Sequence, residues 1–161
     1  MKRVISILLV LTFIFCLGSC DSGNEGLVIV DEAGESTQRV NPKALGTVTI
    51  VNFWGVWCPY CIYEMPYLNK IASDYKGQVS VVAVHTYSRK DEAPTFIMEN
   101  YKNSEIIFAV DTEEEGYYAE MGGYMYYPYT VILNKDGEIV NTINGATNYD
   151  GFVKAFENYL E

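Results

Sequence analysis

Two cysteines separated by two residues are the side chains in this sequence best suited to chemistry. They lie in the segment Trp57-Cys58-Pro59-Tyr60-Cys61. The segment follows an apolar, β-branched run, Val48–Trp54, which predicts a buried strand, and Pro59 suits the first position of a helix. The helix would then begin at Cys58, where free backbone N–H groups and the helix dipole stabilise a thiolate. We therefore predict that Cys58 is a nucleophile.

The second cysteine is placed to react with the first. Cys61 lies three residues after Cys58, which is about one helical turn. At that spacing the two sulfur atoms are close enough to form a disulfide bond. In the expected cycle a thiolate attacks a partner's disulfide, a mixed disulfide forms, and the second cysteine resolves it. The pair is thus predicted to exchange a dithiol for a disulfide, with Cys58 attacking and Cys61 resolving.

Other uses of a cysteine pair fit the sequence less well. Structural zinc and iron–sulfur sites need about four ligands, whereas residues 27–161 contain two cysteines and one histidine, His85. Haem attachment needs a histidine directly after the second cysteine, where this chain has Ile62. A structural disulfide across three residues would close too small a loop to stabilise the fold much. We therefore predict no metal and no cofactor, and interpret His85 as a structural histidine.

The N-terminal residues have the pattern of an export signal. Lys2 and Arg3 precede an apolar run over residues 4–17, which is shorter than the roughly 20 residues that span a bilayer. The run ends in Leu17-Gly18-Ser19-Cys20, which resembles the lipobox of bacterial lipoproteins, where cleavage precedes a lipidated cysteine. This predicts a signal peptide at 1–19, a tether at 20–26 lipidated on Cys20, and a domain at 27–161 on the extracytoplasmic face of the bacterial cell membrane. The alternative is an uncleaved anchor or a simple secretory peptide.

The composition is that of a globular protein with one core. The chain has 161 residues, of which 49% are hydrophobic and 20% charged, and its formal net charge is −10. These values exclude collagen-like, disordered and multi-span membrane proteins. Without residues 1–19 two cations are lost and the net charge becomes −12. A domain this acidic argues against nucleic acid as a partner.

The hydrophobic pattern predicts alternating strands and helices after the tether. Strands are predicted at 27–30, 37–40, 48–54, 79–86, 106–110, 129–133 and 138–143. Helices are predicted at 59–75, 92–101, 113–121 and 149–160. The dipeptide Asp136-Gly137 is a strong signal for a hairpin between the last two strands. This order predicts an α/β fold with a mixed central β-sheet and helices on both faces.

Two segments of the sequence resemble one protein family. They are Val51-Asn52-Phe53-Trp54-Gly55-Val56-Trp57-Cys58-Pro59-Tyr60-Cys61-Ile62-Tyr63-Glu64-Met65-Pro66 and Tyr127-Pro128-Tyr129-Thr130-Val131-Ile132-Leu133. Both are similar to segments of the thioredoxin-like, membrane-tethered thiol–disulfide oxidoreductases of the TlpA/ResA type. The resemblance covers about residues 27–161 and implies a thioredoxin-like fold.

The resemblance implies roles for residues outside the cysteine pair. Glu64 would transfer protons for the cysteines, whereas without the resemblance it would be interpreted as an exposed acid on the helix. Asn52 stands where cytosolic thioredoxins have a buried aspartate, which leaves Glu64 as the nearest acid–base group. Pro128 would follow a cis peptide bond and face the cysteines, so that the backbone of Tyr127 is offered to a bound peptide.

Substrate-binding residues are predicted around the cysteine pair. On the same resemblance they are Trp57, Pro59, Tyr60, Tyr127 and Pro128. Four further residues could form an aromatic rim that holds an unfolded or peptide-like partner: Tyr124, Met125, Tyr126 and Tyr129. The alternative is plain packing of these side chains on a connection between a helix and a strand.

The resemblance implies a reductase of protein disulfides that receives electrons from a membrane thiol carrier, and we expect the protein to be a monomer. Its clients would be proteins such as apocytochrome c or an extracytoplasmic methionine sulfoxide reductase. The first alternative is an oxidase that donates disulfides, because composition does not reveal the reduction potential. The second is a thiol peroxidase, which would need a Pro-x-x-x-Thr-x-x-Cys segment that is not found at Cys58. The third is a non-catalytic peptide-binding lipoprotein, which would keep its activity with serine at both cysteines.

Overall fold

The computed structural model describes residues 26–31, 34–111 and 116–160. The predicted signal peptide, the lipid attachment at Cys20 and all of the tether except Gly26 lie outside the described residues. Among the described residues, no helix combines the length and the apolar character needed to cross a bilayer.

Within the described residues, seven strands form one mixed sheet in the order β2-β1-β5-β4-β3-β6-β7. The strands are β1 (Leu27–Asp31), β2 (Gly34–Val40), β3 (Val48–Trp54), β4 (Val79–His85), β5 (Ile107–Val110), β6 (Tyr129–Leu133) and β7 (Ile139–Asn144). The central strands β3, β4 and β5 run parallel, whereas β1 and β2 at one side and β6 and β7 at the other are joined by antiparallel pairing. The carboxyl ends of the three parallel strands therefore meet at one edge.

Four α-helices in the described part of the chain cover the two faces of the sheet. They are α1 (Pro59–Asp74), α2 (Ala93–Tyr101), α3 (Gly116–Glu120) and α4 (Tyr149–Phe156). Helices α1, α2 and α4 bury apolar side chains in one core cluster, and α3 contributes to a second cluster across the sheet. Side chains alternate along a strand, so Ile50 and Trp54 of β3 lie in the first cluster while Val51 and Phe53 lie in the second. This confirms the predicted mixed sheet with helices on both faces.

Most predicted elements occur within a residue or two of their predicted bounds, and β3 matches throughout. The hairpin at Asp136-Gly137 is confirmed: β6 pairs with β7, and Gly137 has a φ of +81°, a conformation that costs glycine little. Two short 3-10 helices, Lys90–Glu92 and Glu157–Tyr159, occupy positions predicted as α-helix or loop. A third, Pro42–Ala44, was not predicted, and three-residue helices of this kind leave little periodic signal.

Candidate active site

The two cysteines lie where the central strand β3 passes into helix α1, and they are joined by a disulfide bond. Cys58 is the N-cap residue of α1, with Pro59 in the first turn. Its sulfur accepts a hydrogen bond from the backbone N–H of Cys61 at 3.2 Å. Cys58 is 4% exposed and Cys61 is fully buried. In the reduced state the same N–H group and the helix dipole would stabilise a thiolate at Cys58, the less buried of the two sulfurs.

A short loop between β3 and α1 fixes the position of Cys58. The N–H of Cys58 donates to the carbonyl of Gly55 at 3.0 Å, which closes a tight turn. A Cβ atom on Gly55 would lie 2.7 Å from Nε1 of Trp57, so glycine is required for the indole to fold back over the turn. This contact places the Trp57 ring directly beside the disulfide-bearing turn.

His85, at the end of β4, anchors the same loop from the neighbouring strand. Its Nε2 accepts a hydrogen bond from the N–H of Val56 at 3.1 Å, and its Nδ1 lies 2.8 Å from the carbonyl oxygen of Thr86. These contacts assign the ring proton to Nδ1 and require neutral imidazole. Burial lowers the pKa of His85, which favours the same form. The structure thus shows a structural histidine with both ring nitrogens in use.

Glu64 lies one turn after Cys61 on α1, and its carboxyl is fully buried. Oε1 accepts a hydrogen bond from Nδ2 of Asn52 at 2.7 Å, and Oε2 accepts one from the backbone N–H of Thr147 at 3.1 Å. Burial raises the pKa of Glu64 to about 7, while the hydrogen bonds from Thr147 and Asn52 oppose the shift. The alternative interpretation of Glu64 as an exposed helix acid is therefore wrong.

Asn52 connects Glu64 to strand β6, which follows Pro128. Because β3 pairs with β6, Asn52 lies opposite Thr130, and its Nδ2 donates to Oγ1 of Thr130 at 2.9 Å. Its Oδ1 is buried without a hydrogen-bond partner among the described residues. An uncharged amide at this position donates to the Glu64 carboxyl, whereas an aspartate would repel its charged form.

The segment around Pro128 contacts Trp57, the residue that precedes Cys58. The peptide bond between Tyr127 and Pro128 is cis, as the resemblance implies. The Tyr127 ring stacks on Tyr118 with centroids 4.8 Å apart and meets the Trp57 ring edge-on at 5.4 Å. The aromatic side chains beside Cys58 and beside Pro128 are thereby brought into direct contact.

Only part of the predicted aromatic rim lies at the surface. Tyr124, Met125 and Tyr126 are exposed, but Tyr129 is only 5% exposed. Its hydroxyl donates to the carbonyl of Met121 at 3.1 Å, so this tyrosine is buried with its polar group satisfied. The inclusion of Tyr129 in the rim is wrong, because β6 lies between β3 and β7 and is buried along its whole length. Tyr60, between the cysteines, is exposed.

The sequence matches a model of a known protein family over most of its length. The Redoxin family model matches residues 23–160, which include all the described residues. The chain belongs to the Redoxin family. In this Redoxin the matched region contains Cys58, Cys61, Glu64 and Pro128.

Curated relatives of this Redoxin are named for thiol–disulfide chemistry. The thiol-disulfide oxidoreductase ResA of Bacillus thuringiensis subsp. konkukian is 29% identical over 119 residues, covering 73% of this chain and 65% of that protein. ResA of Halalkalibacterium halodurans is 30% identical over 119 residues, covering 73% of this chain and 64% of that protein. The match therefore spans just under two thirds of the length of these relatives.

Solved structures show that the fold is thioredoxin-like. StoA from Bacillus subtilis has a TM-score of 0.64 and 21% identity, covering 79% of this chain and 92% of StoA. The pneumococcal exposed lipoprotein thioredoxin Etrx1 from Streptococcus pneumoniae has a TM-score of 0.68 and 19% identity, covering 83% of this chain and 99% of Etrx1. This confirms the thioredoxin-like fold that the resemblance implies.

The contacts of Glu64 were not foreseen from the sequence. The alternation along β3 could have placed Asn52 on the face that α1 covers, because Ile50 and Trp54 point the same way. The backbone N–H of Thr147, 83 residues away, has no sequence signature. The described residues contain no group of three or more His, Cys, Asp or Glu side chains arranged to hold a metal ion.

Proposed function

We propose that this Redoxin is a thiol–disulfide oxidoreductase that reduces disulfides of client proteins. The observation that carries the proposal is the Cys58–Cys61 disulfide at the N-terminus of α1, one turn before a buried carboxyl with a pKa of about 7. A pKa near the working pH is the value best suited to proton transfer. The curated relatives are named for the same activity.

In the proposed cycle the Cys58 thiolate attacks one sulfur of a client disulfide. A Cys58–client disulfide forms, and the other client sulfur leaves as a thiolate. The Cys61 thiolate then attacks the Cys58 sulfur, which forms the Cys58–Cys61 disulfide and releases the second client thiolate. Two electrons pass to the client, whose two thiolates take up the protons lost by the cysteines.

Glu64 is the proposed proton acceptor for Cys61 during resolution. The thiol of Cys61 must lose its proton before it attacks. Because Cys61 is fully buried, a protein side chain has to accept that proton in place of water. Glu64 lies three residues further on α1, and its carboxylate is stabilised by the donors at Asn52 and Thr147. The proposed proton path therefore runs along one side of α1, inside the core.

The client polypeptide is proposed to bind over the disulfide, beside the cis proline. Its binding residues are Trp57, Pro59, Tyr60, Tyr127 and Pro128. The exposure of Tyr60 and the contact between the rings of Trp57 and Tyr127 support this surface, because exposed aromatic side chains offer large contact areas.

The protein is proposed to act as a monomer on the extracytoplasmic face of a bacterial membrane, held there by lipid on Cys20. The support is the lipobox-like Leu17-Gly18-Ser19-Cys20. Labelling of cells with a radioactive fatty acid, with the Cys20→Ser variant as control, checks this: the wild type should carry the label and the variant should not. A wild type without label would contradict lipid anchoring at Cys20.

The reduction potential tests the direction of the proposed exchange. Equilibration of the Cys58–Cys61 pair with defined dithiothreitol buffers should give a reduction potential of about −270 mV, typical of a reductase that needs a membrane electron donor. A reduction potential of about −120 mV would mean that the reduced form is strongly stabilised and that the protein donates disulfides. That result would overturn the direction while leaving the exchange chemistry in place.

A further inference from the structure

A cavity of about 130 Å³ opens beside Trp57, on the face of the sheet opposite helix α1. The side chains that line it include Phe53, Trp57, Tyr87, Asp111, Tyr118 and Tyr127. Trp57 directly precedes Cys58, and Tyr127 directly precedes the cis proline. A polypeptide bound over the disulfide therefore passes the mouth of this cavity within a residue or two of its reacting cysteine.

The walls of the cavity are electron-rich aromatic rings. Tyr127 stacks on Tyr118, and Trp57 meets Tyr127 edge-on, so these three rings hold one another in place. At the outer wall, Nζ of Lys90 lies 5.5 Å from the centroid of the Tyr87 ring. One face of the Tyr87 ring thus already lies against a cation of the chain itself, in a cation–π contact.

The carboxyl group of Asp111 also lines the cavity. Asp111 follows β5 at the carboxyl edge of the sheet and is only 4% exposed. Its Oδ2 accepts hydrogen bonds from the backbone N–H groups of Tyr117 at 2.9 Å and Tyr118 at 3.2 Å, which fix the carboxyl in place. Burial, followed by the charges of Glu120 and Asp111, raises the pKa of Tyr117. The cavity therefore combines aromatic faces with a fixed negative charge.

We propose that this cavity binds a basic side chain, arginine or lysine, of the client polypeptide close to the cysteine that Cys58 attacks. The inference rests on the proposed function, because it specifies the class of client at that site. Aromatic faces together with a nearby carboxylate attract cations, and a guanidinium also stacks on aromatic rings. The net charge of the chain, −10, favours approach of basic partners as well.

Matched peptides test the proposal with the reduced full-length protein. Each peptide has one disulfide and carries either arginine or its neutral isostere citrulline at a position flanking the reacting cysteine, with both sides scanned. The wild type should reduce the best arginine peptide with a kcat/KM about tenfold above that of its citrulline partner at low salt. The ratio should shrink as salt is added, because screening weakens the attraction.

Two variants assign the preference to the cavity. In Asp111→Asn the arginine-to-citrulline ratio should fall below about twofold, and in Tyr87→Leu it should fall to about threefold. Asp136→Asn is the matched control, because it removes the same charge in the β6–β7 hairpin, at the opposite end of β3 from the disulfide. The control should keep the full ratio. If Asp111→Asn does not fold, since Asp111 bonds two backbone groups, Tyr87→Leu decides alone.

The outcomes separate this inference from the proposed function. Reduction of both peptides at equal rates by the wild type would overturn the basic-side-chain pocket and leave the oxidoreductase function standing. An arginine preference that survives in both cavity variants would also overturn it. Failure of the wild type to reduce either peptide would overturn the proposed function, and the inference with it.

Discussion

The Cys58→Ser variant is expected to lose catalysed disulfide exchange, with a fall on the order of 10³-fold or more in the rate of reduction of a protein disulfide. The reason is that Cys58 caps α1 and is the less buried of the two cysteines, so it is the residue that a client disulfide can reach. The measurement is turnover of a protein disulfide with dithiothreitol as the electron donor.

The Cys61→Ser variant is the matched control for this loss. It keeps the attacking thiolate and loses only the resolving sulfur, so the first half of the reaction should proceed and then stop at the mixed disulfide. Turnover should fall, but client protein should become covalently attached. Full turnover in Cys58→Ser, or equal turnover in a variant with serine at both positions, would favour the non-catalytic binding protein.

The Glu64→Gln variant is expected to change the pH dependence of both stability and rate. Because the folded-state pKa of Glu64 is raised from 4.5 to about 7, the folded protein binds this proton more tightly than the unfolded chain. The stabilisation is fully present below pH 4.5 and is lost as the pH rises through about 7. Across that window the wild type should lose roughly 3 kcal/mol of unfolding free energy from this group.

Glutamine at this position does not titrate, so the variant should lack that component of the pH slope. It also replaces one acceptor with a donor that faces the N–H of Asn52 or Thr147, which adds a pH-independent loss of about 1–3 kcal/mol. Urea unfolding of the oxidised proteins between pH 4.5 and 8 separates the slope from the offset. Equal slopes in the wild type and the variant would contradict the raised pKa.

The pH dependence of the rate of disulfide reduction should also depend on Glu64. If Glu64 accepts the proton of Cys61, the pH–rate profile of the wild type has an inflection near pH 7 that disappears in Glu64→Gln. Glu138→Gln, an exposed carboxylate of the β6–β7 hairpin, is the control and should keep the wild-type profile. An unchanged inflection in Glu64→Gln would assign the proton transfer to another group.

The positions of the two cysteines could be predicted from the sequence because they depend on short-range sequence patterns. The β-branched run Val48–Trp54, the proline after Cys58 and the spacing to Cys61 each follow from backbone preferences over a few residues. These features fixed the strand, the start of the helix and the disulfide partners.

The surroundings of the site were harder to predict from the sequence because they depend on long-range packing. Glu64 is buried by the loop before α4, through a backbone group of Thr147 that any residue but proline could supply. Tyr129 is buried because β6 pairs with β3 at the centre of the sheet, which overrides the common preference of tyrosine for partial exposure. The cavity near Asp111 is lined by five separate parts of the chain, so no single segment of the sequence predicts it.

The most direct test of the proposed chemistry is to identify the sulfur that Cys61→Ser joins to a client. The reduced variant is mixed with a protein disulfide, quenched with acid, digested without reductant and analysed by mass spectrometry. The proposed cycle predicts one mixed disulfide per protein, made through Cys58, and none in the variant with serine at both positions. A client linked through another cysteine, or no covalent complex at all, would contradict disulfide exchange at Cys58.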